Sequence, residues 1–284
     1  PRKKRKRAQQ CAKFPVRKLP LRADKKRKRK RFGVGADNRE KASNITIGKK
    51  DAPDNKKGNG KTPEKNAFVD LTDLVGDQLD DQTSTWLTVE GIKLTAKLEK
   101  VLLNPSGWLT DEHVDAAERL LKSERNGIGG LNDIVMMTHF DKKTKVDLAT
   151  KARQTIQCHN IGSHWVVSTS INGKVTVYDT LSTRLNNVLL QQLLHLYRAC
   201  SDDNGHLTIT IILQQQQNGP NDCGLFCIAN ATSLAHGIDP ALVTWDQSKL
   251  RAHLHECFVN KKLTMFPHTR NNKGNKYTTY KLSF

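Results

Sequence analysis

The 284-residue sequence has no apolar run near the roughly 18–20 residues that cross a bilayer, so no membrane-spanning helix and no membrane partner are expected. Its N-terminus is charged, but no apolar segment follows, so the secretory-signal pattern is missing. Cysteine is sparse. The six residues at 11, 158, 200, 223, 227 and 257 are too scattered for the disulfide framework of a small secreted domain. A reducing intracellular compartment is the expectation. No internal repeat is visible, which excludes a solenoid or propeller. Aromatic residues reach only 6%, so each of the few tryptophans is informative by position.

Basic charge is present, but unevenly. The net charge is +19, and residues 1–66 carry 25 of the 47 Lys/Arg and 6 of the 28 Asp/Glu. That leaves 22 of each sign for 67–284, a neutral remainder. Segment 1–66 is rich in Lys, Arg, Asn, Gly and Pro and has almost no apolar clusters, so it is expected to be a disordered basic tail. Its blocks PRKKRKR (1–7) and KKRKRKR (25–31) fit nuclear localisation through an import receptor. They also fit non-specific nucleic-acid binding by counterion release, or a solvated linker. A short acidic-apolar linker, 67–84, follows. Within it Val69-Asp70-Leu71-Thr72 resembles a SUMO-interacting motif that adds as a strand to a sheet edge, although a linker helix or first strand also fits.

The ordered domain is expected over 85–284. Val114, Ala117, Leu120 and Leu121 fall on one face of a helix over 111–123, started by Thr110 or Asp111. Gly127 to Gly130 reads as a breaker. HWVVSTS, Asn172-Gly173 and KVTVYD read as a β-hairpin with a two-residue turn. LTITIIL at 207–213 is a strand by its β-branched content. Further helices are expected at 186–199, at 224–236 closed by Gly237, and at 246–258 with Asp246 as N-cap. A small sheet with separate helices is an α+β fold.

The hairpin carries a geometric deduction. If Ile171 pairs with Lys174, then Asp179 lies opposite Val166, and His164, two residues away, shares its face. His164 and Asp179 become diagonal neighbours within reach of a carboxylate–imidazole hydrogen bond, the arrangement that orients a general base. Cys223 sits in NGPNDCGLFCIANA, where a turn gives way to an apolar helix. A thiol at a helix N-terminus is favoured as thiolate, which makes Cys223 the candidate nucleophile and leaves Cys227 the buried structural role. Gln217, between a strand and that turn, is placed to hold a tetrahedral oxyanion together with the Cys223 backbone N–H. A zinc site from Cys223, Cys227, His253, His255 and Cys257 matches no common ligand spacing, so neither metal nor cofactor is expected.

Taken together, His164-Trp165, Asp179 and Gln217 followed six residues later by Cys223-Gly224, with Asp222 before the cysteine, resemble the ubiquitin-like-protein-specific cysteine proteases of the Ulp/SENP type. The resemblance covers roughly 105–267 and includes Trp108-Leu109-Thr110-Asp111 ahead of a helix. It is nearest to divergent members found in transposable elements. Asn218-Gly219-Pro220 departs from the family's usual order after the glutamine. The resemblance implies a papain-like α+β fold, a small mixed sheet flanked by helices. It also implies a thiol protease cleaving after the Gly-Gly tail of a modifier such as SUMO or NEDD8. Trp108 and Trp165 would then flank a glycine-only tunnel and Asp111 would dock the modifier, whereas core packing is the alternative for either tryptophan. Two other functions fit the same residues: a polyprotein-processing protease of a mobile element or virus, and a basic chromatin or nucleic-acid-binding protein with a degenerate protease domain.

Overall fold

The hairpin deduced from Asn172-Gly173 is the centre of the molecule. The computed structural model describes residues 83–139, 145–171 and 173–283, so the basic blocks and the Val69–Thr72 stretch lie outside the described residues, as does Asn172. Strand β5 (Trp165–Ile171) pairs antiparallel with β6 (Lys174–Asp179) from Ile171↔Lys174 to Val167↔Tyr178, the expected register. Gly173 takes φ +74°, the left-handed conformation that a tight turn requires.

Four more strands complete a mixed sheet. They are β3 (Gly129–Gly130), β4 (Thr155–Asn160), β7 (His206–Leu213) and β10 (Lys276–Ser283), in the order β10-β7-β6-β5-β4-β3. The glycine run read as a breaker is therefore an edge strand, parallel to β4. Glycine is required there: a Cβ on Gly130 would stand 2.3 Å from the Ile156 carbonyl oxygen. Two small ribbons lie apart from this sheet, β1 (Thr85–Val89) with β2 (Ile92–Thr95) and β8 (Val243–Trp245) with β9 (His268–Arg270).

The described helices of more than one turn are α1 (Ala96–Leu103), α2 (Asp111–Glu124), α3 (Ile134–Thr138), α4 (Asn187–Tyr197), α5 (Cys223–Ala235) and α6 (Leu250–Val259). Helix α5 is apolar nearly all round and almost wholly buried, as a helix enclosed on every side must be. One core joins it to α2, α6 and one face of the hairpin through Val114, Leu121, Val167, Phe226, Leu254 and Phe258. A second core lies on the opposite face, where Val166, Val175 and Val177 meet Leu189, Leu193 and Leu196 of α4. Successive strand residues point to opposite faces, so one hairpin supplies both cores.

Most expected boundaries hold within a residue or two. The last helix is the exception: α6 begins at Leu250, after a 3₁₀ turn over Gln247–Lys249. Asp246 does not cap it, because its carboxylate accepts the Ser248 hydroxyl instead, at 2.6 Å. Gly237 ends α5 as expected, at φ +74° with its N–H on the Leu234 carbonyl.

Strand β4 carries polar groups into the interior, and Gln157 and His159 both find partners there. Gln157 bonds both the backbone N–H and the carbonyl of Asn132, and His159 meets Gln192 at 2.8 Å and Ser168 at 2.6 Å. Glu118 of α2 is 1% exposed and accepts the Cys158 N–H at 2.7 Å. Burial, then the neighbouring Cys158, push its carboxyl well above the ordinary range, which favours the protonated form.

Candidate active site

Asp179 is the last residue of β6, and the turn after it curls over its carboxylate. Oδ1 accepts the backbone N–H groups of Leu181 at 2.7 Å and Ser182 at 3.2 Å. The same oxygen lies 2.7 Å from Nε2 of His164, the residue immediately before β5. Both side chains are nearly enclosed, at 11% and 4% exposure. With Nε2 directed at the carboxylate, Nδ1 is left for proton transfer. Nδ1 is buried and has no well-formed hydrogen bond among the described residues, although the influence of the Cys223 thiol reaches the ring. Burial works against the imidazolium, but the Asp179 hydrogen bond and then the Cys223 thiol outweigh it, raising His164 to about 9.

Cys223 is the first residue of α5 and is 2% exposed. The residue after it must be glycine, since a Cβ at Gly224 would stand 2.9 Å from Cβ of Leu109. That contact brings the Trp108–Asp111 segment against the first turn of α5. Gln217 stands on the loop between β7 and α5. Its Oε1 accepts the hydroxyl of Thr180 at 2.7 Å, and its Nε2 donates to the Gly219 carbonyl at 2.8 Å. A primary amide has two N–H groups, and Thr180 adjoins Asp179, so the amide is oriented from the strand that carries the acid.

The tryptophans separate. Trp108 is 42% exposed, and its indole N–H reaches the Asn221 side chain at 2.5 Å, two residues before Cys223. Trp165 is only 5% exposed and belongs to the core around α5. Asp111, exposed at the start of α2, accepts the Asn160 amide at 3.1 Å. The zinc reading disperses its ligands: His255 stacks on Trp86 at 4.9 Å and meets Glu99, whereas His253 faces Thr264. Among the described residues, no group of three or more His, Cys, Asp and Glu is arranged for a metal.

Sequence reasoning missed the groups that hold this loop. Gln247 accepts the Asn218 N–H at 2.9 Å, donates to the Asn218 carbonyl at 2.8 Å, and donates to Oδ2 of Asp222 at 2.6 Å. Arg251 of α6 donates to the other Asp222 oxygen at 2.6 Å, to the Gly107 carbonyl at 2.8 Å and to the Leu102 carbonyl at 3.0 Å. One guanidinium thus ties the residue before Cys223 to the residue before Trp108. Neither group lies in a recognisable motif. The available signal was Asp222, an acid at a helix start inside an apolar neighbourhood, which needs a cation.

No protein-family model matches this chain, and no curated protein matches it either. Solved structures do match. SUMO protease Ulp1 with its catalytic cysteine oxidized to a sulfenic acid is 17% identical, covers 70% of this chain and 96% of its own, and has a TM-score of 0.50. The sulfonic-acid form of the same protease is 17% identical over 70% of this chain and 97% of its own, also at 0.50. The Chaetomium thermophilum Ulp1-like SUMO protease catalytic domain is 20% identical over 62% of this chain and 82% of its own, at 0.48. The two Ulp1 structures carry the structural conclusion: this chain has the α+β fold of the Ulp1 protease, a mixed sheet flanked by helices.

Proposed function

We propose that this chain is a thiol protease that cleaves after the C-terminal Gly-Gly of a ubiquitin-like modifier of the SUMO or NEDD8 type, in deconjugation or maturation. The observation that carries this reading is the imidazole of His164, held by Asp179 at 2.7 Å and raised in proton affinity by Cys223 at the N-terminus of α5. A thiol, a base and an orienting acid brought together from three elements are what nucleophilic acyl transfer needs. The likeness to a protease fold supports the same reading.

In this mechanism His164 takes the Cys223 proton and the thiolate attacks the terminal glycine carbonyl carbon. The oxyanion accepts the backbone N–H of Cys223 and the second amide N–H of Gln217, a contribution of roughly 2.7–4 kcal/mol per donor. The imidazolium then gives its proton to the leaving amine, leaving a thioester. Water, deprotonated by His164, releases the modifier and the free thiol. The exposed face of Trp108 is where the diglycine tail lies, and the reading requires that site to reject any residue with a Cβ. Asp111 docks the body of the modifier. The basic blocks in 1–66 serve import to the nucleus.

Incubating the full chain and its Cys223→Ala variant with SUMO, NEDD8 and ubiquitin vinyl-sulfone probes tests this. One Cys223-dependent adduct identifies the modifier. No adduct with any probe, from protein that melts cooperatively, overturns the reading in favour of peptide-bond processing or binding.

A further inference from the structure

We propose that Cys257 is a second reactive thiol of this chain, a thiol–disulfide exchange site for small disulfides of the glutathione class, activated by His253 and Thr264. Cys257 and His253 stand outside the proposed catalytic set. Cys257 and His253 are four residues apart on α6, hence on one face of the helix. Both converge on Thr264. His253 Nε2 lies 3.2 Å from the Thr264 carbonyl oxygen and 3.2 Å from its hydroxyl, and that hydroxyl lies 3.8 Å from the Cys257 sulfur.

The carbonyl fixes the tautomer, because it can only accept, so Nε2 carries the proton and Nδ1 is the basic nitrogen. The Thr264 carbonyl thus fixes the orientation of the His253 ring. The Thr264 hydroxyl, with Nε2–H beside it, is free to donate toward sulfur. An edge-to-face contact with Phe266, with ring centroids 4.7 Å apart, holds the imidazole in place.

The thiol is only 3% exposed as a residue, yet it is not sealed. It lines a cavity of about 290 Å³ with His253, Glu256, Asn260, Lys262 and Thr264. That volume is at the small end for a ligand site and suits one arm of a small disulfide rather than a protein. Glu256 and Lys262 offer one anion and one cation, complementary to the ammonium and carboxylates of a glutathionyl group.

Electrostatics agree with the geometry. Burial raises the Cys257 thiol, but the influence of the His253 imidazole and then of the Thr264 backbone outweighs it, and the net displacement is downward. His253 moves upward in return, mainly through Cys257. Cys158, Cys200 and Cys227 are displaced in the opposite direction, chiefly by burial. Thiolate character is what separates reactive from inert cysteines. The step is thiol–disulfide exchange. The Cys257 thiolate attacks one sulfur of glutathione disulfide, the new S–S bond forms as the old one breaks, and glutathione leaves as thiolate and takes up a proton. No other reactant is needed.

The test uses the full chain carrying Cys223→Ala, treated with glutathione disulfide and mapped by peptide mass spectrometry over time. Cys257 is expected to form its mixed disulfide at least about tenfold faster than Cys158 and Cys227, with a pH–rate midpoint below the ordinary thiol range. Denaturing urea should abolish the preference. His253→Gln should slow Cys257 and raise the midpoint, and Thr264→Val supplies a second, independent loss of rate. Labelling of Cys257 no faster than Cys158 and Cys227 in the native chain overturns the proposal. So does a rate and midpoint unmoved by both substitutions in variants that melt as the parent does.

Discussion

Removing Asp222 should unsettle the molecule far more than removing an ordinary surface acid. Its ion pair with Arg251 is 2.6 Å long, and the two side chains are 15% and 12% exposed. Exposed pairs contribute about 0–1 kcal/mol. Breaking an enclosed pair costs roughly 3–5 kcal/mol, because the surviving charge stays buried without a counterion. Asp222→Ala leaves the guanidinium facing only the Gly107, Leu102 and Val101 carbonyls. Arg251→Met leaves the carboxylate only the Gln247 amide and strips those carbonyls of their donor. Each single substitution should therefore lower stability by about 3 kcal/mol or more. For a domain of this size that is a fall in Tm of roughly 6 °C or more. The double variant should fall well short of the sum, with a coupling of about 1–3 kcal/mol. Arg251→Lys should behave as a loss, since one ammonium cannot span the carboxylate and those carbonyls in the planar geometry of a guanidinium. The assay is a double-mutant cycle by urea unfolding, with the rate of probe adduct formation measured on each folded variant. Single costs under about 1 kcal/mol, or costs that simply add, would refute the claim that this pair holds the Cys223 turn.

His164 supplies a pH prediction. Its folded value of about 9 lies above the ordinary 6.5, so its stabilising contribution is complete below 6.5 and is lost as pH rises through 9. The alkaline limb of kcat/KM should fall near pH 9 as the imidazolium that protonates the leaving amine disappears. Asp179→Asn should move that limb to lower pH, and an unmoved limb would show that the hydrogen bond does not set it. Glu118 gives a slope of the same sign in a lower pH range. Its unfolded carboxyl ionises near 4.5 while the folded one holds its proton to higher pH, so this residue lowers stability progressively as pH rises above 4.5. Glu118→Gln should match the parent in thermal melts at pH 4 and exceed it at pH 8, and equal melts at both pH values would contradict a protonated Glu118.

What the sequence made legible, and what it hid, follows from the range of each signal. The hairpin was readable to the residue because a two-residue turn leaves one register, and that register then placed His164 beside Asp179. Helix α5 was readable because a turn of Gly219, Pro220 and Asn221 runs straight into an apolar segment. Strand β4 was not, since Gln157 and His159 break the apolar pattern. Their hydrogen bonds to Asn132 and Ser168 make them interior residues, and no local window contains those partners. Gly129-Gly130 read as a breaker for a similar reason: absence of a side chain marks a turn locally, whereas here it marks a close approach to Ile156. Arg251 and Gln247 were hidden by distance. Arg251 lies 29 residues from Asp222 and 144 from Gly107, so its role exists only once α6 has packed. The candidate site residues thus announce themselves through short-range geometry at turns and element ends. The residues that hold them in place are chosen by the packed fold, and an acid such as Asp222 leading into an apolar helix is the sign in a sequence that a distant cation must answer it.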